Sequence, residues 1–370
     1  MQYSELAVFA NTNMEREQRE RELSHVFLTE QVEAGVPPAV RFDRYFRRRR
    51  VCGYLGKKNL GTLWPELAAF LEEVQSALND ALRDENRQMP GHVDHPPFYF
   101  DYIDAHEPNA LAFRDADYSF IGLTMPLVYL LWDACVELSK SAGVGALLEI
   151  APIPEREEAI LTVMFQNQLI FLVAHEYTHH VHGHLSDHVL GSNLFDEVVV
   201  NDDNGDLAAQ AFEMDADGYS VYLALSHLMN GPRREQAISL LRCEHAHPDS
   251  QDRLLFLSFS MAIGAMLLVT SPPSVDFRKC RTRTHPFPAA RMDWIMHHAT
   301  NWCQENGKSH IVTTAKEAFQ ALMVIVERAI LQMKPPHDWR EQTAFLKSEI
   351  GSQYRRELLA RVRSHVLASF

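Results

Sequence analysis

The alternation of apolar and polar residues along the chain predicts a largely helical protein. In "MEREQRERELSHVFLTEQVEAG" and "LWPELAAFLEEVQSALNDALRDEN", apolar positions recur three and four residues apart. Two longer helical patterns cover residues 155–186 and 206–229, and Asp206 is the predicted N-cap of the second. The segment "MPLVYLLWDACVELSKSAG" predicts another helix, which ends at Gly143.

Strand-like residues are concentrated between Asn109 and Thr124, around a predicted tight turn at Arg114 to Asp117. The predicted fold class is therefore mainly α (α+β), with one small sheet.

Three parts are predicted along the chain: a helical N-terminal extension with a basic segment (1–90), a central domain (91–300) and a helical C-terminal region packed on it (301–370).

The longest apolar run extends from Leu254 to Val269. A membrane span needs about twenty apolar residues, and this run of sixteen is shorter. We therefore predict a fully buried helix and no stable membrane span. The first residues of the chain lack a basic segment followed by an apolar run, so no signal peptide is predicted.

Composition and charge narrow the function classes. A net charge of −14 over 370 residues argues against a general nucleic-acid binder. Positive charge is concentrated in "RYFRRRRVCGYLGKK", so Arg47 to Arg50 are an alternative contact for nucleic acid or another acidic partner. The five cysteines lie far apart and form no CxxC pair, which predicts reduced thiols and a cytoplasmic location.

A dense group of histidines lies in "LIFLVAHEYTHHVHGHLSDH", and within it His175, Glu176 and His179 form an HExxH motif. Two histidines four residues apart on a helix face the same way and can hold one metal ion at about 2.0–2.1 Å. Glu176 is the predicted general base, since it lies beside the open position of the metal. The predicted cofactor is one Zn²⁺ per chain.

The third ligand decides the class of metal site. A metzincin would need glycine at 182 and histidine at 185, where the chain has His182 and Leu185. Glu213 and Asp217 lie four residues apart on a later helical pattern. They suit a third ligand, Glu213, and a carboxylate, Asp217, that orients His175 or His179. Asp215 points to another side of that helix and is the weaker candidate.

The other polar clusters are predicted to be structural. The histidines after the motif are interpreted as a solvated helix end, although His182 could line the cleft: His180, His182, His184 and His188. The segment "EHAHPD", Glu244 to Asp249, is interpreted as a polar loop instead of a second metal site.

HExxH followed by ExxAD resembles the gluzincin zinc metallopeptidases, particularly the HtpX and CAAX-prenyl endopeptidase type. Two further segments are similar to that group: "PNALAFRDADYSFIGL", Pro108 to Leu123, and "THPFPAARM", Thr284 to Met292. The family's hairpin usually carries a glycine pair, which "RDADYS" replaces here. Without clear membrane spans, the chain also resembles the soluble Lit-type phage-exclusion peptidases.

The resemblance implies a zincin-like helical domain over residues 91–300, whose edge strand lines the cleft and pairs with an extended substrate through Asn109 and Ala110. It also places the His-Pro segment near the metal, which makes His285 and Arg291 candidate donors to the oxyanion, with Tyr219 as a further candidate.

The predicted function is zinc-dependent hydrolysis of peptide bonds in a protein or peptide substrate, with Glu176 as general base. One alternative is a catalytically silent or gated protein of the same fold that acts as a regulator or binding module through Arg47 to Arg50. Another is gating by residues 1–90, which would cover the cleft of an active enzyme. A membrane-embedded protease is the third alternative.

Overall fold

The structure of the chain is a computed structural model. The structure describes residues 36–49, 53–55, 60–88, 96–115, 118–149, 156–185, 194–196, 207–231, 233–271, 275–330 and 339–369. Two compact units are distinguished, residues 1–41 and residues 42–370, and the site lies within the second. The three-part division near residues 90 and 300 stays a prediction, and residues 1–35 lie outside the described ranges.

Helices dominate the described residues, as predicted. The first group is α1 (Pro38–Arg49), α2 (Leu60–Leu63), α3 (Ala68–Gln88), α4 (Met125–Lys140), α5 (Ala142–Leu148) and α6 (Arg156–Val181). The second group is α7 (Leu207–Met229), α8 (Arg233–Leu240), α9 (Pro248–Thr270), α10 (Pro288–Glu305), α11 (Ser309–Ile330), α12 (Trp339–Lys347) and α13 (Glu349–Ser369). A short 3-10 helix covers Phe277–Lys279.

The two long helical patterns correspond to α6 and α7, and Asp206 lies outside the described residues. The helix predicted to end at Gly143 ends earlier, at Lys140. The reason is Ser141, whose hydroxyl oxygen accepts a hydrogen bond from the backbone N–H of Val144 at 3.4 Å. Serine in this position begins a new helix, α5, in which Gly143 lies.

The small sheet has four strands in the order β1-β3-β2-β4. They are β1 (Phe98–Ile103), β2 (Ala110–Asp115), β3 (Tyr118–Thr124) and β4 (Leu194–Asp196). β1 runs parallel to β3, and β2 is antiparallel to both β3 and β4. Asp115 pairs with Tyr118, which agrees with a turn between β2 and β3, although residues 116–117 lie outside the described ranges.

The expectation that β2 is an edge strand is wrong. β4 pairs with Leu111 to Phe113, so β2 has a neighbour on each side over this stretch. The three residues of β4 are too short to show a strand pattern in the sequence, because alternation needs four or more residues to be visible. Asn109 is buried, and its carbonyl accepts the backbone N–H of Thr124 at 2.9 Å.

The core is built around α6, which contacts α4, α7 and α9. Gln168 ties three of these helices together, since its amide donates to the Ala262 carbonyl at 2.8 Å and accepts from the Cys135 thiol at 3.2 Å. The run from Leu254 to Val269 is buried within α9, as predicted. By length and composition alone, both α6 and α9 could cross a membrane, and 83% and 89% of their most apolar windows are buried inside the protein.

Gln210 joins the first turn of α7 to two distant segments. Its amide donates to the backbone carbonyls of Cys280 and Arg283, both at 2.9 Å, and accepts a hydrogen bond from the Tyr354 hydroxyl at 2.6 Å. The side chain is fully buried, so each of these bonds replaces one to water. Gln210 thereby fixes the start of α7 against α13 and against the chain that precedes α10.

Replacing Gln210 by leucine is expected to destabilise the fold by about 1–3 kcal/mol, because the Tyr354 hydroxyl and two carbonyls lose their partner in a buried place. The free energy of unfolding, measured with urea, tests this. Gln353→Leu is the matched control: that side chain is exposed and bonds only to Glu357 at 2.8 Å, so the change should be within about 0.5 kcal/mol. Equal effects of the two substitutions would contradict the structural role of Gln210.

Candidate metal centre

The centre of the site is the crossing of α6 and α7, which brings two histidines and a glutamate together. His175 and His179 lie one turn apart on α6, and Glu213 lies on α7. Nε2 of His175 is 3.1 Å from Nε2 of His179 and 3.3 Å from Oε2 of Glu213. Nε2 of His179 is 3.6 Å from Oε1 of Glu213. All three side chains are buried, so the residues could hold a metal ion inside the protein.

Two of the separations at this crossing are close to those between the ligands of a tetrahedral ion. Ligand atoms at 2.0–2.1 Å from a tetrahedral metal are separated from one another by about 3.3 Å. Nε2 of His175 lies 3.1 Å from Nε2 of His179 and 3.3 Å from Oε2 of Glu213, both near this value, and the 3.6 Å separation joins His179 to the other carboxylate oxygen, Oε1. Oε2 of Glu213 is buried and has no hydrogen-bond donor among the described residues, as expected for an oxygen that faces a cation.

A buried ion pair supports the first ligand from behind. Oδ1 of Asp217 lies 3.2 Å from Nδ1 of His175, on the opposite edge of the imidazole from Nε2. Arg291 donates to both carboxylate oxygens of Asp217, through Nε at 2.9 Å and Nη2 at 2.7 Å. Burial raises the pKa of Asp217, but the Arg291 charge and hydrogen bonds outweigh it, and the pKa is lowered. Asp217 therefore carries a negative charge beside Nδ1 of His175, and its role in orienting this imidazole stays a prediction.

The end of α6 is shaped by Gly183, which has a φ of +75°. The backbone N–H of Gly183 donates to the His180 carbonyl at 3.3 Å, and that of His184 donates to the His179 carbonyl at 3.0 Å. These two bonds form a Schellman motif, in which the residue after the glycine turns back over the last helical turn. His184 is thereby brought against His179.

A second group of side chains lies behind the second ligand. Nδ1 of His184 is 2.9 Å from Nδ1 of His179, and its Nε2 is 3.1 Å from Oδ2 of Asp215. The same oxygen of Asp215 lies 2.6 Å from Nδ1 of His182. Burial raises the pKa of Asp215, but hydrogen bonds from His182 and His184 outweigh it and hold that pKa well below its ordinary value.

The interpretation of the histidines as a solvated helix end is wrong for two of them. His180 and His184 are each about 1% exposed, and His188 lies outside the described residues. Nε2 of His180 lies 2.9 Å from the Phe120 carbonyl, which ties α6 to β3. The sequence pattern missed this because α6 is packed on all sides near its end, and because Gly183 folds the following residues inward.

The remaining predicted residues are placed at different distances from the centre. His285 joins it, since its Nε2 is 3.4 Å from Oε2 of Glu213, while its Nδ1 is 3.0 Å from the Thr284 hydroxyl. Arg291 binds Asp217 and so acts on the site through His175. Tyr219 packs against the ring of His182, with centroids 4.7 Å apart.

Glu176 is buried on α6, directly after the first ligand. Asn109 and Ala110 lie at the start of β2, just before the stretch that pairs with β4.

Two predicted polar segments lie elsewhere. Arg47 on α1 forms an ion pair with Asp43 at 3.0 Å, and the side chains of residues 48–50 lie outside the described ranges. The segment from Glu244 to Asp249 is largely exposed and leads into α9, whose N-cap is His247. Four cysteines are free thiols in the structure, Cys135, Cys243, Cys280 and Cys303, and Cys52 lies outside the described residues.

Searches against protein-family models, curated proteins and solved structures find no match to this chain. The case for its function therefore depends on the geometry of the site and on the motifs in the sequence.

Breaking the Asp217–Arg291 pair is expected to destabilise the metal-free protein. Arg291→Met leaves the buried Asp217 carboxylate without its cation, which typically costs about 3–5 kcal/mol. Urea unfolding of Arg291→Met, Asp217→Asn and the double variant in the presence of a chelator measures this. The double variant should lose less stability than the sum of the two single changes, by about 0.5–3 kcal/mol. Additive losses would show that the two residues do not act as a pair.

Proposed function

We propose that the protein is a zinc-dependent endopeptidase. The observation that carries the proposal is the convergence of His175, His179 and Glu213 on one point, with the HExxH glutamate, Glu176, on the same helix as the two histidines. Two imidazoles and one carboxylate form the ligand set of many catalytic zinc sites, in which the fourth position is left for water or substrate.

Zinc is the proposed ion because nitrogen and oxygen ligands in a tetrahedral arrangement suit it. Two imidazole nitrogens and one carboxylate suit zinc, whereas magnesium and calcium prefer shells of oxygen ligands. The pair of Asp217 and His175 supplies the carboxylate–histidine contact that usually accompanies zinc and that increases the basicity of the ligand.

The chemistry is divided among the residues around the ion. When bound, zinc lowers the pKa of water to about 7 and polarises a carbonyl. Glu176 takes a proton from the attacking water and later passes it to the leaving amine. His285, beside Glu213, is the proposed donor to the oxyanion of the substrate carbonyl. Asp217 and Arg291 keep the imidazole of His175 in place.

The proposed substrate is an extended segment of a protein. Asn109, directly before β2, and Ala110, its first residue, precede the stretch that pairs with β4. Substrate binding along the rest of β2 would require β4 to move, because β4 takes up the hydrogen bonds of Leu111 to Phe113.

A second candidate function is favoured by the burial of the site. The side chains of His175, His179 and Glu213 are at most 3% exposed, so they offer little surface to a substrate carbonyl in this arrangement. A gated peptidase, or a protein of this fold that uses its metal for structure alone, would show the same burial. A peptidase, gated or not, needs Glu176 for cleavage, whereas a protein that uses its metal for structure alone does not.

Metal content tests the ligand set. We expect about one zinc ion per chain in the wild type, measured by elemental analysis, and a large loss in Glu213→Ala. Glu176→Gln is the matched control, since it removes a carboxylate from the same site without removing a ligand, and it should retain zinc. Unchanged zinc in Glu213→Ala would place the third ligand elsewhere and contradict the proposed site.

Cleavage of a library of extended peptides, followed by mass spectrometry, tests the chemistry. We expect the wild type with zinc to cleave peptide bonds, chelation to abolish cleavage and zinc to restore it. Glu176→Gln should lower the rate by about 10²–10⁴-fold, because a general base contributes that much. A Glu176→Gln variant that binds zinc and cleaves at the wild-type rate would exclude the proposed mechanism. A zinc-loaded wild type that cleaves nothing would favour the gated or structural alternative.

A further inference from the structure

We propose that His184 is a positioning residue for the metal site. Its Nδ1 accepts a hydrogen bond from the Nδ1–H of His179, and its Nε2–H donates a hydrogen bond to Asp215. The inference rests on the proposed metal site and adds a residue that the HExxH and ExxAD motifs do not contain. Three contacts carry it: Asp215 to His184, His184 to His179, and His179 to the metal position.

The first step assigns the proton on His184. An ionised carboxylate can only accept hydrogen bonds, so Nε2 of His184, 3.1 Å from Oδ2 of Asp215, carries a proton. With the ring of His184 taken as neutral, this is its one proton, and Nδ1 carries the lone pair.

The second step assigns the proton on His179. Nδ1 of His179 lies 2.9 Å from Nδ1 of His184. Because Nδ1 of His184 carries a lone pair, Nδ1 of His179 is the donor in this contact. Nε2 of His179 then has a lone pair, and this is the atom that faces His175 and Glu213. Asp215 thus determines which nitrogen of His179 is free to bind the metal, through its hydrogen bond to His184 and the hydrogen bond of His184 to His179. Oδ1 of Asp217 lies on the corresponding side of His175, 3.2 Å from its Nδ1.

The ring of His184 is held in the plane that this contact needs. It is about 1% exposed, and it stacks on Phe212 with centroids 4.6 Å apart and an interplanar angle of 27°. The Schellman motif at Gly183 fixes its backbone over His179. A buried imidazole with both nitrogens directed at specific partners is suited to hold a ligand, since such partners fix ring orientation and basicity.

The same residues do not fit a second metal ion in the observed arrangement. His182, His184 and Asp215 offer three ligand atoms close together, but the two nitrogens lie 2.6 and 3.1 Å from one shared oxygen. Ligands of a tetrahedral ion would be about 3.3 Å apart, whereas 2.6 Å is the length of a short hydrogen bond.

A metal on Nε2 of His184 would also move the proton of that ring to Nδ1. Nδ1 of His184 would then donate to His179 and leave the proton of His179 on Nε2, which could no longer bind the first ion. The two sites are therefore mutually exclusive while both rings are neutral.

Zinc affinity of three variants tests the proposal. Zinc dissociation constants are measured by competition with a chromophoric chelator. His184→Leu removes both hydrogen bonds and should weaken zinc binding by about 10–100-fold. His184→Asn can place an amide oxygen near the position of Nδ1, so it should recover most of the affinity. His182→Leu is the matched control, because it removes the other partner of Asp215 and leaves the contact with His179 intact; its affinity should stay within about threefold of wild type.

Three results would overturn the inference. They are wild-type affinity in His184→Leu, an equal loss in His184→Leu and His184→Asn, or an equal loss in His182→Leu and His184→Leu. Two zinc ions per wild-type chain, with one lost in His182→Leu, would also overturn it in favour of a second metal site. Urea unfolding of the metal-free variants checks that each substitution leaves the fold intact.

A measurement without metal separates this inference from the proposed function. Histidine ¹⁵N NMR of the metal-free chain at pH 8 should show the proton of His179 on Nδ1 and that of His184 on Nε2. The opposite tautomers would contradict the role of His184 even if zinc binds. The expected tautomers in a chain that binds no zinc would support the contact and refute the zinc peptidase.

Discussion

The site depends on the close crossing of α6 and α7, where acceptor atoms from both helices face one another in the interior. Oε2 of Glu213 and Nε2 of His175 are 3.3 Å apart, and Nε2 of His179 is 3.1 Å from Nε2 of His175. A buried carboxylate beside two imidazole lone pairs is unfavourable unless a cation or shared protons lie between them. A divalent ion relieves this repulsion at one point, which makes metal binding the natural use of the crossing.

The surrounding residues keep the acceptors pointed inward. Each ligand histidine has a carboxylate on its far side, Asp217 for His175 and Asp215, through His184, for His179. Both carboxylates come from one turn of α7, two residues apart and two and four residues after Glu213. This one turn therefore supplies a ligand and the hydrogen-bond acceptors that orient the other two ligands, which explains why so many acids are buried together.

Much of the fold and part of the site could be predicted from local patterns. The long helices α6 and α7, the buried run in α9, and the set of His175, His179, Glu213 and Asp217 all follow from spacing along helices. What failed depends on contacts between distant segments. β4 is too short to be visible and closes the side of β2, and Ser141 interrupts a helix that composition alone would continue. His184 could have been found from the glycine before it, because a glycine after the last helical residues predicts a turn back over the helix end.

The C-terminal helix is part of the architecture that holds this turn of α7. The Tyr354 hydroxyl on α13 donates to Gln210, whose amide in turn donates to the Arg283 carbonyl, two residues before His285. Gln210 lies three residues before Glu213 on the same helix, so it fixes both the ligand and the segment that brings His285 to within 3.4 Å of it. The indole N–H of Trp294 on α10 also donates to the Met214 carbonyl of α7 at 2.5 Å, so the turn that carries Glu213 is held from two sides. His175 and His179 on α6 therefore face a helix, α7, whose start is bonded to residues 70 to 144 positions further along the chain. The motifs between residues 175 and 217 contain none of these contacts.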